Sequence, residues 1–275
     1  MPRRPIVTLT TDFGTNDHFV GAVKGVILDI APDATIVDIT HAVQAYDVLD
    51  GALAISQTYS CFPNGTIHMV VVDPGVGTER RPIIASSDGY HFVAPDNGVL
   101  SMVYAKEERI HVRHVTSEHY FRQPVSRTFH GRDVFAPIAG YLAKMVDSHK
   151  FGDEIEDYVR FAAPRPKPAG DNRLRAVVLK VDRFGNLITN LTPEDAPTLF
   201  AGKGGFKIVV GSKEITQIRA AYAEGPQGEV FGILGSMGYL EIVANRAAAA
   251  QLTGAGKGSE VSIILGEGAA AGKGA

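Results

Sequence analysis

The chain has 275 residues and a formal charge of −3, with 45% hydrophobic and 21% charged residues, the balance of a soluble globular protein with a sizeable core. No long basic block marks a nucleic-acid surface, and no apolar run approaches the roughly 20 residues needed to span a bilayer. One cysteine, Cys61, excludes an intramolecular disulfide framework and any cluster of thiolate metal ligands.

The opening MPRRPIVTLTTDFG moves from arginines into a strand-like run without a signal-peptide core, so a cytoplasmic protein is expected. PIVTLTTDFG reads as a buried strand that ends in a turn over Asp12–Asn16. HFVGAVKGVILDIAP puts Phe19, Val23, Val26, Ile27 and Ile30 on one helical face, with Pro32 beyond its end. ATIVDIT is a second strand, Tyr46 to Tyr59 a second helix, and TIHMVVVD a third strand. Alternating strands and helices predict an α/β domain of three layers around a mostly parallel sheet. RPIIASSDGYHFVAPDN reads instead as two strands meeting at Ser87-Asp88-Gly89, and DVFAPIAGYLAKMV (Asp133–Val146) restores a helix.

FAAPRPKPAGDNR, Phe161 to Arg173, carries three prolines and reads as an extended linker. Beyond it come LRAVVLKVD, GFKIVVG, GEVFGILGS, GYLEIVAN and SEVSIIL, short strands divided by glycine-rich turns. They predict a smaller all-β domain, a barrel or sandwich. The expected division is 1–160 for the α/β domain, 161–173 for the linker and 174–266 for the β domain. The remaining 267–275 form a tail with nothing to bury, expected to be disordered.

Asp12 and Asp17 follow the first strand, where ligands of α/β sheets collect. A carboxylate there can accept from both hydroxyls of a ribose, or the pair can be a turn residue and a helix N-cap. For Asp17 the cap is the favoured reading. Asp73 ends the third strand at the same predicted edge. Pro74, Gly75 and Gly77 follow it, then Arg80 and Arg81, either of which can return to Asp73 as an ion pair. VVVDPGVGTERR lacks the Lys-Ser/Thr ending of a Walker loop, and a strand rather than a helix follows, against a Rossmann fingerprint. His130, in SRTFHGRDVF, can orient a water or be an ordinary loop histidine. The nine histidines show no zinc-ligand spacing, so no metal is expected. In VDRFGNLITN, Asp182, Phe184 and Asn186 surround a turn, where Asn186 can read an adenine edge or only favour the turn. SMGYLEIVANR presents Ser236, Tyr239 and Asn245 in the same manner.

Together, TDFGTNDHFVGAVKG, VVVDPGVGTERR, FHGRDVFAPIA, VDRFGNLITN and SMGYLEIVAN resemble the S-adenosyl-L-methionine (SAM) hydroxide adenosyltransferases, relatives of the SAM-dependent fluorinase and chlorinase. The similarity runs from about Ile6 to Leu265. It implies an N-terminal α/β domain, a C-terminal β-barrel, and a homotrimer binding its ligand between neighbouring subunits. It places the family's catalytic set on Asp73, Arg80 and His130. It gives the ribose hydroxyls to Asp12, the adenine to Asn186, and the methionine end to Asp182 and Ser236. Tyr46 takes the place of a fluorinase tryptophan beside the ribose, and Tyr222 falls near a ring that stacks on adenine. Phe129, Phe184, Glu241 and Asn245 lie within the matching segments as further substrate-binding candidates, the last two without a fixed role. Met237 replaces a fluorinase arginine.

The halogenating relatives carry Tyr-Pro where this chain has Asp73-Pro74, and Phe-Tyr-Ser where it has Phe129-His130-Gly131. That difference favours water or hydroxide over halide. The implied reaction is attack at ribose C5′, releasing methionine and leaving adenosine, with SAM as substrate and no cofactor. A halogenase, or a non-catalytic SAM- or adenosine-binding module, are the competing readings.

Overall fold

The computed structural model describes residues 4–202 and 205–266. The tail over 267–275 lies outside the described residues. The chain forms two compact units, Met1–Ala163 and Pro164–Ala275.

In the first unit the strands are β1 (Ile6–Thr11), β2 (Thr35–Thr40), β3 (Thr66–Val71), β4 (Pro82–Ser86), β5 (Tyr90–Pro95), β6 (His111–His114) and β7 (Glu154–Ile155). The helices are α1 (Phe19–Ile30), α2 (Val48–Thr58), α3 (Ser101–Tyr104) and α4 (Ala136–Ala143). The sheet order is β2-β1-β3-β5-β4-β6-β7. Strand alternation explains why both faces are covered. Val7, Leu9, Ile67, Met69 and Val71 point to one face, where Val23, Val26 and Ile27 of α1 and Ile138 and Leu142 of α4 meet them. Val70, Val72, Ile83, Ala85 and Phe92 point to the other, against Ile55 of α2 and Val103 of α3. Burying a side chain such as Ile27 contributes about 1.5–3 kcal/mol.

The expectation of a mostly parallel sheet is corrected. β2, β1, β3 and β5 run parallel, but β4 pairs antiparallel with β5 and β6, and β6 with β7. The hairpin expected at Ser87-Asp88-Gly89 is present, closed by Ser87 N–H donating to Tyr90 O at 2.9 Å. Its second strand, β5, lies beside β3, so β4 is carried outward and runs against it. The sheet is therefore mixed.

The parallel pairing of β1 with β3 sets Thr11 opposite Val71. Asp12 and Asp73 consequently leave the sheet at the same edge. Asp17 does not cap α1: the N-cap position is His18, without a side-chain bond, and Asp17 is exposed. α2 is capped by Asp47, whose carboxylate accepts from Asp50 N–H.

The second unit holds β8 (Lys167–Pro168), β9 (Arg173–Val181), β10 (Leu187–Thr189), β11 (Phe206–Val210), β12 (Lys213–Ile215), β13 (Ile218–Arg219), β14 (Val230–Leu234), β15 (Leu240–Ala244) and β16 (Glu260–Leu265). Their order is β12-β11-β16-β9-β10-β15-β14-β13, with β8 on β9. β9 is shared: its first half pairs with β16, its second with β10. Ile208, Val261, Val178, Leu187 and Ile242 share one core, so the sheet curls on itself. The description "all-β" is corrected by two short helices, α5 (Pro197–Phe200) and α6 (Ala249–Thr253). The ladder path has two ends rather than a closed ring among the described residues.

Candidate active site

The stretch after β3 folds back because of its turn chemistry. Val76 N–H donates to Asp73 O at 3.2 Å, and Thr78 closes on Gly75 through its N–H (3.1 Å) and hydroxyl (2.7 Å). Gly77 has φ +77°, and a Cβ there would lie 2.1 Å from Arg127 O, so only glycine fits. The reversal returns Arg80 to Asp73. Arg80 Nε donates to Asp73 Oδ1 and Oδ2 at 3.0 and 2.9 Å, and Nη2 reaches Oδ2 at 2.5 Å. The side chains are only 9% and 5% exposed, so this is a buried pair and not a solvated one. The Arg80 guanidinium also lies 5.1 Å from the centre of the Phe135 ring.

Arg80 Nη2 is 2.7 Å from His130 Nδ1. Arginine only donates, so Nδ1 accepts and the proton of neutral His130 resides on Nε2. Burial, then the Arg80 charge, push the His130 pKa below its usual range. His130 stands just before a π-turn, Gly131–Phe135, that leads into α4. A Cβ on Gly131 would lie 3.0 Å from Phe13 Cζ and 3.3 Å from Phe129 Cε2, so the backbone approaches the aromatic wall closely.

Asp12, Tyr46, Asp73, Phe129 and His130 line one cavity of about 310 Å³. Burial raises the Asp12 pKa, opposed by the Tyr46 N–H and reinforced by Asp73. Tyr46 N–H donates to Asp12 Oδ2 at 2.9 Å, while the Tyr46 ring is 75% exposed and its φ is +66°. Phe13 and Phe19 each meet Phe129 edge to face and lie tilted to one another, with centroids 5.1–6.1 Å apart. Phe13, Phe19, Val76 and Thr128 line the cavity although the sequence did not single them out for the site. Arg81, the other candidate partner of Asp73, bridges Asp96 (2.7 Å) and Asp157 (2.8 Å) instead, and Asp96 is almost wholly buried.

In the second unit, Asp182, Phe184, Asn186, Tyr222 and Asn245 line a cavity of about 650 Å³. Asp182 organises its own turn, accepting from Phe184 N–H, Asn186 N–H and Asn186 Nδ2, each at 2.8 Å. Gly185 turns at φ +83°, where a Cβ would meet the Ala248 Cβ at 2.5 Å. Phe184 is 78% and Tyr222 46% exposed. Asn245 Nδ2 donates to Gly225 O at 2.7 Å. Ser236 is exposed and does not line this cavity. Glu241 is buried behind it, and accepts from Tyr222 Oη at 3.3 Å. Burial, with Asp182 adding to it, raises the Glu241 pKa. Among the described residues, no group of three or more His, Cys, Asp or Glu could hold a metal ion.

Sequence profiles of the SAM hydroxide adenosyltransferase N-terminal and C-terminal domains match residues 7–152 and 176–262. An (R)-S-adenosyl-L-methionine hydrolase from Thermus thermophilus is 34% identical over 95% of this chain and 100% of its own. A fluorinase from Nocardia brasiliensis is 29% identical over 96% of this chain and 98% of its own. A crystal structure of an uncharacterized conserved protein from Thermotoga maritima superposes with a TM-score of 0.85 at 34% identity, covering 94% of this chain and 99% of that one.

Proposed function

The chain belongs to the SAM hydroxide adenosyltransferase family, and we propose that it is an enzyme hydrolysing SAM to adenosine and L-methionine. The observation that carries the reading is the buried Asp73–Arg80–His130 chain at the wall of the N-terminal cavity. Water or hydroxide attacks ribose C5′, the C5′–S bond breaks toward sulfur, and one proton is released as the sulfonium becomes a neutral thioether. The sulfonium needs no acid to leave. The difficulty is the nucleophile, since bulk water has a pKa of about 15.7. His130, neutral with its proton on Nε2, donates to the attacking oxygen. Asp73 receives the proton, and Arg80 holds both side chains in register and stabilises hydroxide.

Asp12 accepts from the ribose hydroxyls, with Tyr46 and Phe129 beside the sugar. Phe184, Asn186, Tyr222 and Asn245 receive the adenine, Asp182 and Ser236 the methionine end, and Glu241 orients Tyr222. We take the protein to be a homotrimer with sites at subunit interfaces; the exposed Tyr46, Phe184 and Tyr222 support a contact surface there. We place it in the cytoplasm. We expect the reaction to need no metal, and dialysis against EDTA should leave the rate unchanged.

Chromatography of SAM incubated with the protein tests the function. Adenosine and methionine in equal amounts are expected, with or without chloride or fluoride. A 5′-halo-adenosine as main product would refute hydrolysis in favour of halogenation. Adenosine binding without methionine release over hours would leave a non-catalytic module.

A further inference from the structure

The turn that carries Asp12 is tied to a polar chain running back to the surface of α1. At its outer end Lys24 Nζ lies 2.6 Å from Asp38 Oδ2. Asp38 Oδ1 is 3.1 Å from His41 Nε2, an ion-pair distance without the geometry of a hydrogen bond. The His41 side chain is 3% exposed, and its Nδ1 lies 2.8 Å from Thr11 Oγ1. Thr11 Oγ1 also accepts from Phe13 N–H at 3.3 Å, and Gly14 N–H donates to His41 O at 2.8 Å. The residues on both sides of Asp12 are thus fastened to one histidine, through its ring and through its carbonyl.

His41 Nε2 faces the Asp38 carboxylate, which can only accept, so the ring proton sits on Nε2. Nδ1 then accepts from the Thr11 hydroxyl, whose oxygen keeps a lone pair for Phe13 N–H. Burial opposes ionisation of Asp38, but Lys24 and His41 outweigh it and hold the carboxyl below its usual range. A bulge sets up this path: Leu9 pairs with Asp38 but Thr10 with Thr40, so Ile39 is an extra residue at the end of β2. Bulges beside sites re-aim the side chains that follow. The exposed Lys24 link contributes little, as surface ion pairs do, whereas the buried histidine has no solvent to replace its contacts.

We propose that His41 is a positioning residue for ribose recognition, holding the Asp12 carboxylate through Thr11 and Gly14 with Asp38 as its brace. The proposal rests on the reading of Asp12 given above. Asp12 Oδ2 is already engaged by Tyr46 N–H, so the remaining acceptor capacity is directional. A displacement of about 0.5 Å is enough to spoil a two-point contact with a diol.

Calorimetric titration of the full-length protein with adenosine and with 2′,3′-dideoxyadenosine separates positioning from general stability. His41→Ala is expected to weaken adenosine about ten-fold and dideoxyadenosine less than about two-fold. Equal losses for both nucleosides, or no loss for either, would overturn the proposal. If that variant does not fold, Thr11→Val and Asp38→Asn carry the same selective expectation. Asp12→Ala is the reference and should abolish the preference for adenosine. A preference that survives in Asp12→Ala refutes the ribose reading itself. A preference lost there but intact in the His41, Thr11 and Asp38 variants refutes only the positioning role.

Discussion

The two cavities are built by opposite means. In the N-terminal unit the charged groups are buried and locked to each other, with Asp73, Arg80 and His130 joined by contacts of 2.5–3.0 Å. In the C-terminal unit the polar residues are locked to their own turn and the aromatic rings stand open. A preorganised, dehydrated charge cluster suits stabilisation of a transition state, whereas open rings suit recognition of a flat base. The contrast predicts that damage to the first lowers turnover and damage to the second lowers affinity.

The largest expected effect follows from Asp73→Asn or His130→Ala, each lowering kcat by about 10²-fold or more while adenosine binding stays within a few-fold. Steady-state kinetics and titration of the same variants check this, and turnover at the wild-type rate would remove both residues from the chemistry. Gly77→Ala comes next. Its positive φ and the clash with Arg127 O should cost about 1–3 kcal/mol in denaturant unfolding and displace Arg80, so kcat falls too. On the other side, Phe184→Ala is expected to weaken adenosine about ten-fold with kcat nearly unchanged, because only stacking is lost. A kcat loss as large as that of Asp73→Asn would erase the distinction between the two sites.

The smallest effect concerns the core behind the N-terminal site. His68 Nδ1 is 2.7 Å from Thr8 Oγ1, and the ring stacks on Phe92 with centroids 5.2 Å apart. Burial pushes its pKa down to about 3. Well above pH 6.5 the ring is neutral in both folded and unfolded chains, so it adds no pH dependence there. Below that, the unfolded chain takes up a proton that the folded one refuses, and stability falls until about pH 3. Between pH 6.5 and 5.5 His68→Gln should lose about 1 kcal/mol less than the wild type. Parallel denaturant curves at the two pH values measure the difference.

Local signals in the sequence identified much of this. The period of HFVGAVKGVILDI foretold α1, and Ser87-Asp88-Gly89 foretold its hairpin. The direction of β4 was not legible, because alternation looks alike in parallel and antiparallel strands. Sheet order is decided by long-range pairing, here by β5 settling beside β3. Asp73 and Arg80 were legible as partners across a glycine turn, but their burial was not, since it comes from the walls supplied by Phe135 and the loop at Arg127. Which of the two arginines returns to Asp73 was not legible for the same reason: the acceptors of Arg81, Asp96 and Asp157, are distant in sequence. His41 passed unnoticed in DITHAVQ, where nothing local distinguishes a brace from a loop histidine.

Water as the nucleophile at ribose C5′, activated at the Asp73–Arg80–His130 cluster, is the step we propose. Turnover of SAM in ¹⁸O-labelled water, with mass analysis of the adenosine, tests it most directly. One ¹⁸O in the 5′-hydroxyl is expected, at a rate that collapses in Asp73→Asn. Unlabelled adenosine, or labelled product formed equally fast by that variant, would contradict it.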